Sequence, residues 1–319
     1  MNASSLFRSL ARRAVLVSSI AIAATAATGV ASAQQTGVRY LDPVFTDVDV
    51  TKDVVFGQAV NNFGELQVLR LDLYKPAGDS ITNRPAMVFA HGGGFTMGDK
   101  ADDRQQPFLK GMAQRGYVVM SINYRMRPPG TPGANRGPEG LIINSAVGDD
   151  ATMRDGQHDM QAAVRWTRQN AETLGVNPAM IVVSGGSAGG VMALETAFNP
   201  EDPGGSGNPG VSSAVAAAVS LWGAADPDHI EAGAPPVIDF HGTIDPTLPA
   251  WAPSCARTSA LGNVCEQTIW PDGTHAAWDR TDQILATAPG FLCRYVIKTC
   301  TAPVPLVPIT VGSVGALKP

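Results

Sequence analysis

Ser187 lies in the run Gly185-Gly186-Ser187-Ala188-Gly189-Gly190, entered directly from the apolar stretch Met180 to Val183. A serine with glycine two residues before and after it, between a strand and a helix, fits a G-x-S-x-G turn that holds a hydroxyl out as a nucleophile. The glycines suit the sharpness of the turn, where a Cβ would collide with crowded strand and helix backbones. Taken alone, the run equally suits an anion cradle at a helix N-terminus or a plain tight turn. What decides is whether the rest of the chain supplies a base, an acid and donors for an oxyanion.

A serine hydroxyl needs a histidine to take its proton and a carboxylate to fix that histidine's tautomer. The chain has five histidines. His275 lies in a loop, Trp270-Pro271-Asp272-Gly273-Thr274-His275, just after the strand expected over Glu266 to Trp270, and is the candidate base. His241 directly follows the apolar run Pro236 to Phe240 and reads as structural. Asp245, four residues farther along that loop, can turn towards the site as the acid. Asp239, inside the expected strand, and Asp272, close to His275, are fallback acids. His229, between Asp226 and Asp228, reads as a solvated helix start, and His158 as the beginning of a surface helix.

Upstream, the apolar run Ala86 to Ala90 ends in His91-Gly92-Gly93-Gly94-Phe95. Three glycines straight after a strand let a backbone turn its N–H groups towards a ligand, as stabilising an oxyanion requires. Gly93 and Gly94, with the N–H of Ala188, are the expected donors, and His91 is expected to brace the loop. Phe95, Trp222 and Trp278 neighbour these motifs and suit either an aromatic wall for an aryl acyl group or the core. The acidic stretch Asp149, Asp150, Asp155, His158, Asp159 does not have EF-hand spacing and reads as a solvated loop leading into a helix capped by Asp159. No metal site or cofactor is expected.

The elements that must position these groups follow from apolar rhythm. Phe45 to Phe56 and Leu66 to Tyr74, with Gly64 between them, suggest an antiparallel opening pair. Short continuous apolar runs at Ala86–Ala90, Tyr117–Ile122, Met180–Val183, Val215–Leu221 and Pro236–Phe240 suit strands buried on both faces of a parallel sheet. Between them, Phe108, Leu109, Met112 and Ala113 stop at Gly116, and Met160, Ala163, Val164, Thr167, Ala171 and Leu174 keep helical spacing up to Gly175. This β-α-β-α-β alternation predicts an α/β fold with helices on both faces and a ligand site at the carboxyl ends of the strands. Arg127 to Gln157 and Asn199 to Gly210 are expected as loops, and 301–319 as an extended surface tail. Only 58 positions separate Ser187 from Asp245, too few for a large cap domain.

The 319-residue chain carries a formal charge of −5 and no basic patch, which argues against a nucleic-acid partner. Arg8, Arg12 and Arg13, the apolar stretch Ala14 to Val30 and the small residues Ala31-Ser32-Ala33 read as a signal peptide spanning 1–33. One catalytic domain is then expected over 34–319, secreted or periplasmic, with no membrane anchor left after cleavage. Export would place Cys255, Cys265, Cys293 and Cys300 where disulfides persist. Three connectivities are open, and nearness in sequence favours Cys255 with Cys265 and Cys293 with Cys300.

The chain order Ser187, Asp245, His275 matches that of α/β-hydrolases. On Leu71-Asp72-Leu73-Tyr74-Lys75-Pro76, His91 to Phe95, Asn123-Tyr124-Arg125, Gly185 to Gly190 and His241 to Pro246, the chain resembles the α/β-hydrolase family, in its carboxylesterase and bacterial feruloyl-esterase-like branch. The resemblance implies a cofactor-free serine ester hydrolase acting on a small-molecule or polymer-borne ester, with peptidase or amidase activity, or a noncatalytic binding protein on the same scaffold, as alternatives. Gly186 departs from the hormone-sensitive-lipase-like esterases, which usually carry an acid there.

Overall fold

A computed structural model describes residues 37–127, 151–201 and 204–300. The signal-peptide reading and the 301–319 tail lie outside the described residues, as do 128–150 of the long loop.

The described chain winds into one eight-stranded sheet. Its strands are β1 (Val48–Val60), β2 (Leu66–Pro76), β3 (Arg84–Ala90), β4 (Val118–Ile122), β5 (Val176–Gly186), β6 (Ala217–Leu221), β7 (Val237–Gly242) and β8 (Cys265–Trp270). They lie in the order β1-β2-β4-β3-β5-β6-β7-β8. Only the β1–β2 and β2–β4 pairings are antiparallel. With its helices, this is the α/β-hydrolase fold. Strands β3, β4, β6 and β7 are buried along their whole length, as their mainly apolar sequences lead one to expect. Edge strands β1 and β8 instead alternate buried and exposed residues or lie largely exposed.

The helices are α1 (Gln106–Ala113), α2 (Ala151–Gln169), α3 (Ala171–Leu174), α4 (Ala188–Phe198), α5 (Leu248–Ala260) and α6 (Thr281–Leu292). The period-2 alternation of β3 sorts the core into two layers. Met87 and Phe89 pack with Phe108, Leu109 and Met112 of α1 and with Ile284 and Phe291 of α6. Ala86, Val88 and Ala90 pack with Met160 and Val164 of α2 and with Met192 and Leu194 of α4. Helix α4, which starts at the residue after Ser187, is buried on every side. Its residues are mainly apolar, and its one carboxylate, Glu195, is held by His229.

Five sequence expectations need correction. Helix α2 begins at Ala151, so Asp155 and Gln157, expected in a loop, are helical. Asp159 does not cap that helix. It is fully buried in mid-helix, where Arg125 Nε and Nη2 and the Ser206 hydroxyl, at 2.6 Å, all donate to it. Asp155 and Asp159, four apart, share the helix face turned towards Arg125, so the polarity that reads as solvated loop is spent on a buried ion pair. His158 is likewise mid-helix, and His229 is half-buried and bonded to Glu195 Oε2 at 2.6 Å. The helix expected to run through Leu174 breaks at Asn170 into α2 and α3 before Gly175 caps it in the left-handed conformation.

Cys255 of α5 is bonded to Cys265 of β8, and Cys293 to Cys300. A ten-residue closed loop contributes about 2–3 kcal/mol by chain entropy. Cys255→Ser with Cys265→Ser should lose about that much in urea unfolding, and non-reducing peptide mapping should recover both pairs intact.

Candidate active site

Strands β3, β5, β6, β7 and β8 point their carboxyl ends the same way, and the loops that leave them meet. Main-chain bonds lace these loops together just beyond the strands. Ser187 N–H donates to Leu221 O at 2.8 Å, Trp222 N–H to Phe240 O at 2.8 Å, and Thr243 N–H to Trp270 O at 3.0 Å.

The turn at Ser187 is held by close backbone contact. A Cβ on Gly189 would lie 2.0 Å from Ala90 O, and one on Gly185 would lie 2.3 Å from the Gly189 backbone. Glycine is therefore the one residue that lets β5 run into α4 against the end of β3. Ser187 pays in conformation, with φ 54° and ψ −115°, a region costly for a side-chain-bearing residue. Phe95, Trp222 and Ala276, on three other loops of the site, also sit at positive φ.

His275 Nε2 lies 2.8 Å from Ser187 Oγ, and its Nδ1 lies 2.9 Å and 3.0 Å from the two Asp245 carboxylate oxygens. The serine O–H can donate to Nε2 while Nδ1–H donates to the carboxylate, which fixes one neutral tautomer. The His275 ring is a quarter exposed, whereas the Asp245 side chain is fully buried. Burial pushes the Asp245 carboxyl up. The hydrogen bonds from His275 and from the Thr247 hydroxyl and amide outweigh burial and hold it below the ordinary carboxylate value. Its contribution to stability is thus full above the ordinary carboxylate range and is lost only as pH falls through the lowered value.

The loop after β3 closes on the serine. A Cβ on Gly92 would lie 3.0 Å from Gly186 O and 3.3 Å from Ser187 Cβ, so Gly92 is the glycine of this loop pressed against the serine. Gly93, at φ 118°, turns the chain where a side chain would strike Met97 O. Among the described residues, the amides of Gly93 and Gly94 donate to no backbone carbonyl, and Ala188 at the start of α4 has no partner a turn earlier. His91 braces the loop. Its Nδ1–H donates to Gly92 O at 2.7 Å, its ring stacks on Tyr124, and the Tyr124 hydroxyl donates to His91 O.

The fallback acids are engaged elsewhere. Asp239 bonds His241, and exposed Asp272 is held through its amide by Thr243 Oγ1. Of the three aromatics, Phe95 is wholly buried and packs edge-on to Tyr124 in the core, which removes it from any wall facing solvent. Trp222 is also buried, and half-buried Trp278 stands edge-on to it with ring centres 5.0 Å apart. A Cβ on Gly186 would lie 3.2 Å from Trp278 Cζ2 and 3.3 Å from Trp222 Nε1. A side chain at this position would crowd both indoles, which must give by a few tenths of an ångström, so glycine fits there most easily. Among the described residues, no group of three His, Cys, Asp or Glu could hold a metal ion.

Gly92 and Thr247 escape the sequence reading. Thr247 had a signal: in Asp245-Pro246-Thr247 its amide donates to Asp245 Oδ1 at 2.8 Å, the Asx-turn such a tripeptide favours.

Residues 61–204 match the model of the carboxylesterase family. That stretch holds the glycine loop and Ser187 and stops short of Asp245 and His275. The chain is 29% identical over 160 residues to a probable carboxylic ester hydrolase, LipM, of Mycobacterium tuberculosis, covering 49% of this chain and 32% of that protein. It is 35% identical over 112 residues to lipase 2 of a Moraxella species, covering 35% of this chain and 21% of that one. The chain thus spans about a fifth to a third of the curated relatives it matches. Among solved structures it is similar to esterase 2 of Thermogutta terrifontis phosphorylated by paraoxon, at 27% identity and a TM-score of 0.63 over 80% of this chain and 96% of that one. The propionate-bound form of that esterase aligns with a TM-score of 0.61 and 26% identity, again over 80% of this chain and 96% of that one.

Because the contact at Gly189 is with backbone that cannot swing aside, Gly189→Ala should cost about 3 kcal/mol or more in urea unfolding. Gly205→Ala, where nothing lies within 4 Å, is the matched control and should unfold at the wild-type midpoint within error.

Proposed function

The chain is an α/β-hydrolase related to the carboxylesterases, and from that footing we propose that it hydrolyses carboxylic esters through an acyl-enzyme on Ser187. The observation that carries this reading is the hydrogen-bonded row from Ser187 through His275 to Asp245, set against a glycine loop with free amides. Ser187 Oγ attacks the ester carbonyl while His275 Nε2 takes its proton. Asp245 holds the ring in place and stabilises the imidazolium. The amides of Gly93, Gly94 and Ala188 receive the negative charge on the carbonyl oxygen. His275 then protonates the leaving alcohol, and a water activated by the same ring releases the acid. No step calls for a cofactor.

The substrate class follows from what surrounds Ser187. Between α4 and Asp245 the described chain holds only β6, a short turn of 3-10 helix at Pro227–His229, and β7, so among the described residues no cap domain is inserted there. Trp278, backed by Trp222 and lying against Gly186, offers an aromatic surface beside the nucleophile. Exposed Met97 and Ile244 lie on the loops that carry the glycine amides and Asp245. A site with no cap domain inserted between α4 and Asp245 and with an aromatic flank suits aryl, feruloyl, acetyl-sugar or polymer-borne esters. The paraoxon-phosphorylated and propionate-bound forms of the Thermogutta enzyme support a serine nucleophile and short acyl groups by likeness. The signal-like 1–33 segment and the two disulfides support export, with 34–319 as a single catalytic domain.

Hydrolysis of p-nitrophenyl acetate should vanish in Ser187→Ala and fall on the order of 10³–10⁴-fold in kcat in Asp245→Asn. A fluorophosphonate probe should label wild type at Ser187 and leave Ser187→Ala unlabelled. Retained turnover in Ser187→Ala would sink the proposal. In a panel of short acyl, feruloyl, acetyl-sugar, polyester and peptide substrates, esters should be cleaved and peptides not. A preference for peptides would make the chain a peptidase with the same machinery, and failure of the probe to label Ser187, with no substrate turned over, would make it a binding protein.

A further inference from the structure

Behind Asp245 the hydrogen-bonded row does not end. The Thr247 hydroxyl lies 2.6 Å from Asp245 Oδ1, 3.1 Å from His241 Nε2 and 3.3 Å from Trp222 O. His241 Nδ1 in turn bonds Asp239 Oδ2, and both of these side chains are buried. Proton counting settles the direction of each bond. The Thr247 hydroxyl has one proton to give, and the ionised carboxylate at 2.6 Å takes it over the Trp222 carbonyl at 3.3 Å, so Thr247 donates to Asp245. Its oxygen is then an acceptor towards His241, and Nε2 must carry a proton. Nδ1 faces a second carboxylate and must carry one too.

We propose that His241 is a positioning residue, an imidazolium held between Asp239 and Thr247 that commits the Thr247 proton to Asp245 and so fixes the acid facing His275. The inference rests on the ester-hydrolase reading of Ser187, His275 and Asp245. His241 is not a catalytic residue, since it touches neither the serine nor His275 in the row described. It acts through Thr247 and through its charge, with Nε2 4.0 Å from Asp245 Oδ2. Burial alone would drive the His241 proton off. The charge and hydrogen bond of Asp239, helped by Asp245, outweigh that and raise the imidazole above its ordinary value. Asp239, on the same strand, and Asp245, on the loop after it, are the charged groups that act on the ring. The arrangement gives Asp245 two imidazole neighbours with different tasks. His275 shuttles a proton, and His241 keeps its protons in place.

The test compares wild type, Thr247→Val, Thr247→Ser and His241→Gln on p-nitrophenyl acetate across pH. Thr247→Val keeps the side-chain shape and removes only the hydroxyl. Its kcat should fall about tenfold to a hundredfold with KM within about twofold, since the loss is one of orientation. Without the Thr247 donor or the His241 charge, Asp245 attracts the His275 proton more strongly. The acid limb of the kcat/KM profile should therefore move to higher pH in Thr247→Val and in His241→Gln. Thr247→Ser should restore both rate and limb. If His241→Gln does not fold, Thr247→Val and Thr247→Ser decide. Wild-type rates and an unmoved limb in Thr247→Val overturn the proposal, as does a loss of rate that leaves the limb in place and that Thr247→Ser fails to rescue. Those failures leave ester turnover in the wild type intact. Absence of turnover in the wild type itself would instead remove the ester-hydrolase reading beneath it.

Discussion

Everything at the site hangs on how closely the end of β5 can approach the end of β3. Parallel pairing sets those strands side by side, with Ala90 opposite Gly185. The chain leaving β5 must then turn into α4 within two residues while passing the Ala90 carbonyl. Gly185 and Gly189 permit that passage, and Ser187 absorbs the remaining distortion in its own φ and ψ. The loop after β3 is thereby delivered to the serine, with Gly92 against Ser187 Cβ, so one contact places both Ser187 and the glycine amides beside it. The burial of α4 on all sides follows, since a helix starting this close to the sheet must run through the middle of one layer.

The second half of the site obeys a different constraint, a charge balance in a buried place. Asp245 is removed from water and remains ionised because donors surround it: His275, the Thr247 hydroxyl and the Thr247 amide. Asp239 and His241 face each other in the same buried setting, one step farther from the serine. Two carboxylates and two imidazoles thus share the end of β7 and the loops after β7 and β8. Each carboxylate has a ring partner, as buried charge requires.

Much of this was legible in the sequence, for reasons that differ by element. The central strands were visible because burial on both faces leaves an unbroken apolar run, as at Ala86 to Ala90 and Val215 to Leu221. Glycines around Ser187 and after His91 were visible because backbone crowding excludes other residues. What escaped was polarity serving burial. Asp155 and Asp159 look like solvent-facing residues until Arg125, some 30 positions earlier, is brought against them. Phe95 looks like a pocket aromatic because it adjoins the glycines, yet positive φ turns it into the core against Tyr124. His241 reads as structural from its place directly after the apolar run Pro236 to Phe240, and its link to Asp245 through Thr247 depends on a turn no periodicity reveals. Gly186, unexplained by sequence, becomes intelligible only when Trp222 and Trp278, from two later loops, close over it.

The main-chain bonds that lace the strand ends have a consequence for how this molecule fails. The amides of Ser187, Trp222 and Thr243 each close onto the neighbouring strand's last residues. Their hydrogens can exchange with solvent only when adjacent strands part, an opening on the scale of the sheet and not of a loop. Mobile surface loops commonly let an enzyme lose its geometry well before it loses its fold. Here the serine is stitched to the same ladder that defines the fold, so warming should leave no long interval in which the sheet persists and the site has gone.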